Sequence, residues 1–289
     1  MKLSGEILAI LSALFIGIAI PLSVLSSKEF GVIQVAVYSS LVSVVFLLIL
    51  TPFINFKTQI KKSLTKYFKE SISITVSRAI IGSLLFFYGV SLTTSIRTAF
   101  MLRLEPIFVT ILSYIFLKYK VSLRQIALIA LMIFGAFLLS TSGSIEAFTQ
   151  TQIGDLFIIL SLLFFSYCYI PIKRIGKEIS PITITIINNL VGGLILFIIM
   201  LFLPLNLLTV NSSNIWLLLA YVISFFVFGL YFYFAAVRKT KPWIVSSLLS
   251  FSSVVGSAIA YFWLGETLNI IQILGVIVIL ISTWLIIKK

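Results

Sequence analysis

Two stretches decide the fold: residues 5–29, GEILAILSALFIGIAIPLSVLSSKE, and residues 154–178, GDLFIILSLLFFSYCYIPIKRIGKE. At a constant offset of 149 they share Gly5/Gly154, Ile10/Ile159, Leu11/Leu160, Ser12/Ser161, Leu14/Leu163, Phe15/Phe164, Lys28/Lys177 and Glu29/Glu178. Apolar matches are cheap in such segments, so the polar ones carry the argument. Pro21 and Pro171 fall one position out of register, and Ser39-Ser40 meets Asn188-Asn189 at the same offset. Self-similarity of this kind marks a chain built from repeats. We read two five-helix halves, 5–141 and 154–287. Because five is odd, the second half enters the membrane from the opposite side.

Working outward, the whole chain has the same character. Of its 289 residues, 61% are hydrophobic and 10% charged, and the mean hydropathy is +1.22. A soluble domain is nearer half apolar and a quarter charged, so a water-soluble enzyme, a disordered chain and a nucleic-acid-binding domain are excluded. Apolar runs fall at about 7–25, 32–54, 71–92, 95–117, 123–141, 154–172, 182–203, 214–236, 242–264 and 269–287. Each is close to the roughly 20 residues that cross a bilayer. The first run lacks a small-x-small cleavage site after Pro21 and belongs to the repeat, so it counts as a helix rather than a signal peptide. The fold class is therefore all-α and integral to the cell membrane, with ten transmembrane helices as two inverted five-helix repeats.

Basic residues set the expected orientation. Of 21 Lys and Arg residues, 17 lie at the termini or in alternate loops: Lys57–Lys69, Lys118–Arg124, Lys173–Lys177 and Arg238–Lys241. The other loops hold only Lys28. Cytoplasmic loops are the Lys/Arg-rich ones, so both termini are expected in the cytoplasm. The net charge of +13 is then an orientation signal, not a nucleic-acid-binding surface.

With no histidine and the single Cys168, zinc, haem and Cys/His nucleophile chemistry lack their ligands. No cofactor is expected. No GxxxxGK[ST] stretch occurs, so a gradient rather than ATP would drive any transport. Inverted repeats are the architecture of many secondary transporters, with the site near the midplane between the halves.

Two motifs support a family reading. The segment SRAIIGSLLFFYGVSLTTSIRTAFMLRLEPIFVTILSYIFLKYKVS, 77–122, pairs an aromatic-rich third helix with a fourth carrying Leu104-Glu105-Pro106, and the ninth helix ends Phe262-Trp263-Leu264-Gly265-Glu266. This resembles the EamA repeat of the drug/metabolite transporter superfamily over nearly the whole chain. The first repeat departs from it with Lys118-Tyr119-Lys120, and the second with Phe251-Ser252 in place of Glu-Pro. The resemblance implies ten helices and transport of small metabolites, often outward. It does not imply a substrate.

Charges within the bilayer are costly and usually face the bundle or a wet cavity. Glu105 lies near the midplane at 1.5 Å per residue, and Arg78 reaches a similar depth on the preceding antiparallel helix. Arg103, two residues from Glu105, points elsewhere. Two readings stay open for Arg78 and Glu105: a packing pair, or a site where Glu105 meets a substrate amine while Arg78 or Arg103 meets an anion. At a repeat offset of 146 their counterparts, with that of Arg103, are Ser224, Leu249 and Phe251. Arg97 is expected to snorkel at an interface, and Glu105 to be the one carboxylate within the helices. Tyr88, Tyr167, Tyr169, Asn188 and Asn189 are the further substrate-contact candidates. Pro21, Pro106 and Pro171 are expected to kink their helices. The run Tyr231–Phe234 reads as an interfacial belt, and Ser252, Gly256 and Ala260 as a packing stripe.

The sequence reading is thus a secondary exporter of small metabolites such as amino acids, and not an enzyme. Its partners would be a small-molecule substrate, a coupling ion left unnamed, and the lipid bilayer. A drug or lipid exporter, or a non-transporting subunit, stays as the alternative.

Overall fold

The structure, a computed structural model, describes residues 3–49, 51–93, 95–144, 152–203, 214–265 and 267–288. Lys2, Glu266 and Lys289 lie outside them. The described residues form helices and turns, without a strand. Among the described residues ten helices are long and apolar enough to cross a membrane: Gly5–Phe30, Val32–Ile49, Phe68–Ser91, Arg97–Leu117, Leu123–Thr141, Ile153–Ile175, Pro181–Leu201, Ile215–Lys239, Pro242–Trp263 and Ile270–Ile287. We call them spans one to ten. Helices are the outcome because lipid offers the backbone no hydrogen-bond partner.

Local chemistry shows the two repeats to be copies. Span five opens with a capping box, Ser122 with Gln125, and span ten with another, Asn269 with Gln272. Spans three and eight each contain a widened, π-type segment, Thr75–Gly82 and Val222–Gly229. Spans four and nine break in mid-course, after Leu102 and after Leu249. Both then end on a left-handed residue, Lys118 at φ 58° and Gly265 at φ 70°. All of these features recur at an offset of 147. This corrects the offset of 146: the counterparts of Arg78, Arg103 and Glu105 are Phe225, Ser250 and Ser252. Apolar stretches slide past each other without penalty in an alignment, whereas a cap or a break fixes one residue.

Packing interleaves the repeats. Span one packs on spans eight and nine, and span six packs on spans three and four. Each hairpin thus rests on the first span of the other repeat, giving two swapped units, one–eight–nine and six–three–four. Spans five and ten pack together outside them. Their axes are drawn close by Gly135 and Gly275; a Cβ on Gly275 would lie 2.7 Å from the Gly135 carbonyl oxygen.

The units meet at the end of the bundle that carries both termini. There Pro242–Leu249 packs on Glu105–Leu117, and Tyr169–Ile175 on Leu230–Lys239. Towards the opposite end, Phe251–Leu264 packs on spans one and ten, and Ser83–Ser91 packs on span six. Among the described residues those two halves share no extensive contact. An open groove of about 570 Å³ runs along span nine there, lined by apolar residues including Phe251, Val254, Val255, Ala258, Ile259 and Phe262.

Candidate functional site

The break in span four is the centre of the candidate site. Pro106 has no N–H to give, and it sits in the first turn of Glu105–Leu117, where none is needed. The preceding turns tighten: Arg103 N donates to Phe100 O at 2.9 Å, and Leu104 N to Met101 O at 2.9 Å. Pro106 therefore marks an interruption of the span, a feature of transporters whose interrupted helices line a site. Pro171 likewise coincides with a break, at Cys168. Span one, by contrast, runs unbroken through Pro21. The Gly17 carbonyl, freed by the missing Pro21 N–H, faces Gly256 of span nine instead.

Three charged residues converge at the break. Arg78 projects from the π-type segment of span three, its guanidinium carbon 4.6 Å from the Tyr233 ring centre and 5.6 Å from that of Phe165. Tyr233 in turn meets Tyr169 edge-on, with centres 5.2 Å apart. Glu105 lies within electrostatic reach of Arg78, Arg103 and Tyr169. Yet Arg78 and Glu105 form no ion pair within 4.0 Å; among the described residues such pairs are Lys62–Glu178 and Arg97–Asp155. Arg103 Nη1 donates to Ser252 Oγ at 3.1 Å. Its Nε, and the hydroxyls of Tyr169 and Tyr233, are buried without a hydrogen-bond partner. Leaving buried polar atoms unpaired is costly, which sets this cluster apart from the apolar packing around it.

Tyr233 was missed by the sequence reading. It is 1% exposed and forms the floor under Arg78, whereas the run Tyr231–Phe234 was assigned to an interfacial belt. Position alone cannot say which face of a helix points inward when both are apolar. Tyr169 joins the cluster as expected. Tyr88 does not: it is 56% exposed, edge-on to Phe157 at 4.8 Å. Tyr167 sits apart too, half-buried against Phe116 at 6.1 Å. Asn189 is committed elsewhere, donating to Ser43 Oγ at 2.8 Å and Phe226 O at 3.3 Å. It ties span seven to spans two and eight. Asn188 donates to Asn189 at 3.0 Å, and its own Oδ1 is buried and unpartnered.

Arg97 does not snorkel. It is 4% exposed and Asp155 6%; Arg97 Nε donates to Asp155 Oδ1 at 3.0 Å, and Nη2 pairs with Asp155 Oδ2. Thr93 adds a hydrogen bond to Oδ1 at 2.7 Å. By the observed bounds the spans hold Glu6, Glu29, Glu70 and Asp155 besides Glu105, which overturns the reading of Glu105 as the one carboxylate within the helices; of these, Asp155 is buried and paired. A charge near a helix end snorkels only if no opposite charge is within reach, and sequence distance hid this partner, 58 residues on.

The class follows: a polytopic helical membrane protein of two inverted, interleaved repeats around a broken-helix polar site. The EamA-like transporter family model matches residues 3–141 and 152–288, and the chain belongs to that family. It is similar to an uncharacterized transporter of Methanothermobacter thermautotrophicus, 24% identical across 98% of this chain and 86% of that protein. It is also similar to the uncharacterized transporter YyaM of Bacillus subtilis, 25% identical over 78% of this chain and 74% of that protein. A solved crystal structure superposes with a TM-score of 0.80 at 9% identity, over 96% of this chain and 94% of the other. That likeness carries the fold alone. The protein is a multi-pass membrane transporter.

Proposed function

We propose that the protein is a secondary transporter that exports small organic metabolites such as amino acids by alternating access. The observation that carries the reading is the asymmetric meeting of the two swapped units. They pack together at the terminal end and part towards the other, with Arg78, Arg103 and Glu105 at the level where packing gives way. With both termini in the cytoplasm, as the Lys/Arg alternation favours, this is an outward-open state. Glu105 would receive a substrate ammonium and Arg103 a carboxylate.

A second reading has its own support. The groove along span nine is apolar from Phe251 to Phe262, which suits a drug-like or lipid-like solute. Counterflow in proteoliposomes tests both: labelled amino acids should be trapped by unlabelled amino acid inside. Trapping only of hydrophobic cations or lipid analogues would favour the second reading, and no trapping of either would defeat both.

A further inference from the structure

We propose that two pseudo-symmetric clasps, Thr93–Asp155 and Thr240–Glu6, bind each hairpin to the first span of the other repeat, so that the moving parts are the swapped units and not the repeats. The inference rests on the alternating-access reading and says which bodies move.

The two clasps are copies. Thr240 Oγ1 donates to Glu6 Oε1 at 2.9 Å, and Thr93 Oγ1 donates to Asp155 Oδ1 at 2.7 Å. Thr93 and Thr240 correspond at the offset of 147, and Glu6 and Asp155 at 149. One clasp closes the terminal end of unit one–eight–nine; the other closes the opposite end of unit six–three–four. The adjacent glycines make the approach possible. A Cβ on Gly5 would lie 2.6 Å from Thr240 Cβ, and a Cβ on Gly154 would lie 2.6 Å from the Leu92 carbonyl carbon. Gly5-Glu6 and Gly154-Asp155 are thus one device used twice: a bare backbone to let the hairpin turn in, then a carboxylate to hold it. Each clasp has its own reinforcement. Arg97 adds its ion pair to Asp155, and Lys239 Nζ donates to the Leu3 carbonyl at 3.0 Å beside Glu6.

The placement separates a clasp from a gate. A gate joins the two bodies that part, and its bonds break in every cycle. Both clasps lie inside a unit, between elements packed along much of their length. Their bonds should persist while the units rock, which makes these residues positioning residues rather than substrate ligands.

Spin labels on the full chain in lipid nanodiscs test this without a known substrate. The native Cys168 is buried, so added cysteines take the label. The within-unit pairs are Ser91→Cys with Ile153→Cys, and Ile7→Cys with Lys241→Cys. The between-unit pair is Ser91→Cys with Phe262→Cys. The expected result is a single, unchanging dipolar coupling within each unit and two distances between units, with Thr240→Val broadening the 7–241 coupling. Two distances within a unit, or no effect of Thr240→Val, would overturn the clasps while leaving alternating access standing. A single distance between units would overturn both.

Discussion

Arg103 and Ser252 join the two broken helices. The guanidinium at the end of the first half of span four donates to a hydroxyl 3.1 Å away, just past the break in span nine. Ser252 is the repeat counterpart of Glu105, so Arg103 bridges from beside a carboxylate in one repeat to the hydroxyl at its equivalent position in the other. The packing stripe read into span nine therefore carries a site contact.

Ser252→Ala should remove the acceptor and leave another Arg103 donor unpaired. A hydrogen bond to a charged group contributes about 1.5–3 kcal/mol, so the variant should melt earlier in detergent. Ser252→Thr should retain most of the stability. Equal melting of all three proteins would show that the bond contributes nothing.

Glu105→Gln keeps shape but not charge. Transport of amine-bearing solutes should fall at least about tenfold, the effect of losing roughly 1.4 kcal/mol of binding. Full transport by the variant in the counterflow assay would leave Glu105 a packing residue.

The Arg97–Asp155 pair is buried, with side chains 5% and 9% exposed. Removing one partner strands the other charge, a loss of about 3–5 kcal/mol, while replacing both by apolar residues is far better tolerated. Asp155→Leu should therefore unfold at markedly lower temperature than the Arg97→Leu/Asp155→Leu double variant. Thermal unfolding of the full set of variants measures the coupling.

Span seven passes span three with no room to spare: a Cβ on Gly192 would lie 2.3 Å from Ala79 Cβ. Gly192→Ala should lower stability by about 1–3 kcal/mol through overpacking. Ala79→Gly in the same chain should restore most of it, because Ala79 Cβ is the obstacle. Failure of the second change to rescue the first would place the cost elsewhere.

The short helix Phe56–Leu64 docks on the start of span seven. Ser180 N and Thr183 Oγ1 donate to Gln59 Oε1 at 2.5 and 3.2 Å, and Lys62 pairs with Glu178 at 3.1 Å. The hydrogen bond and charge of Lys62 hold the Glu178 carboxyl below its usual range, with Lys66 adding to the effect. A lowered carboxylate contributes above its unfolded value and loses that contribution as pH falls through the folded one. The docking should hold at neutral pH and loosen below the ordinary carboxylate value of 4.5. A spin label at the exposed Thr58 should become more mobile there, and Glu178→Gln should remove that pH response. The pair is solvent-exposed, so the effect should also shrink in high salt.

Part of the cluster at the break is legible in the sequence. Arg78, Arg103 and Glu105 stand out because charge is rare in an apolar span, and Pro106 announces the break. Tyr233, Asp155, Glu6 and the two threonines did not stand out. An aromatic in an apolar helix looks the same whether it faces lipid or protein, and a carboxylate at the edge of a span looks solvated until its partner is known. Gly5-Glu6 and Gly154-Asp155 were nonetheless in plain view in the repeat, as a small residue followed by an acid at the same place in both halves.

The chain's composition and periodicity by themselves determined ten apolar helices in two inverted fives, because lipid demands long apolar segments and an odd repeat must invert. Tertiary structure alone decided that the repeats interleave, that their second halves register at 147, and that Arg97 is paired rather than exposed. The reason is that hydrophobicity drives a helix into the membrane without saying which neighbour it meets. Lipid tails are as apolar as leucine, so partners are chosen by close packing of small residues and a few buried hydrogen bonds, and those exist only once the helices are side by side.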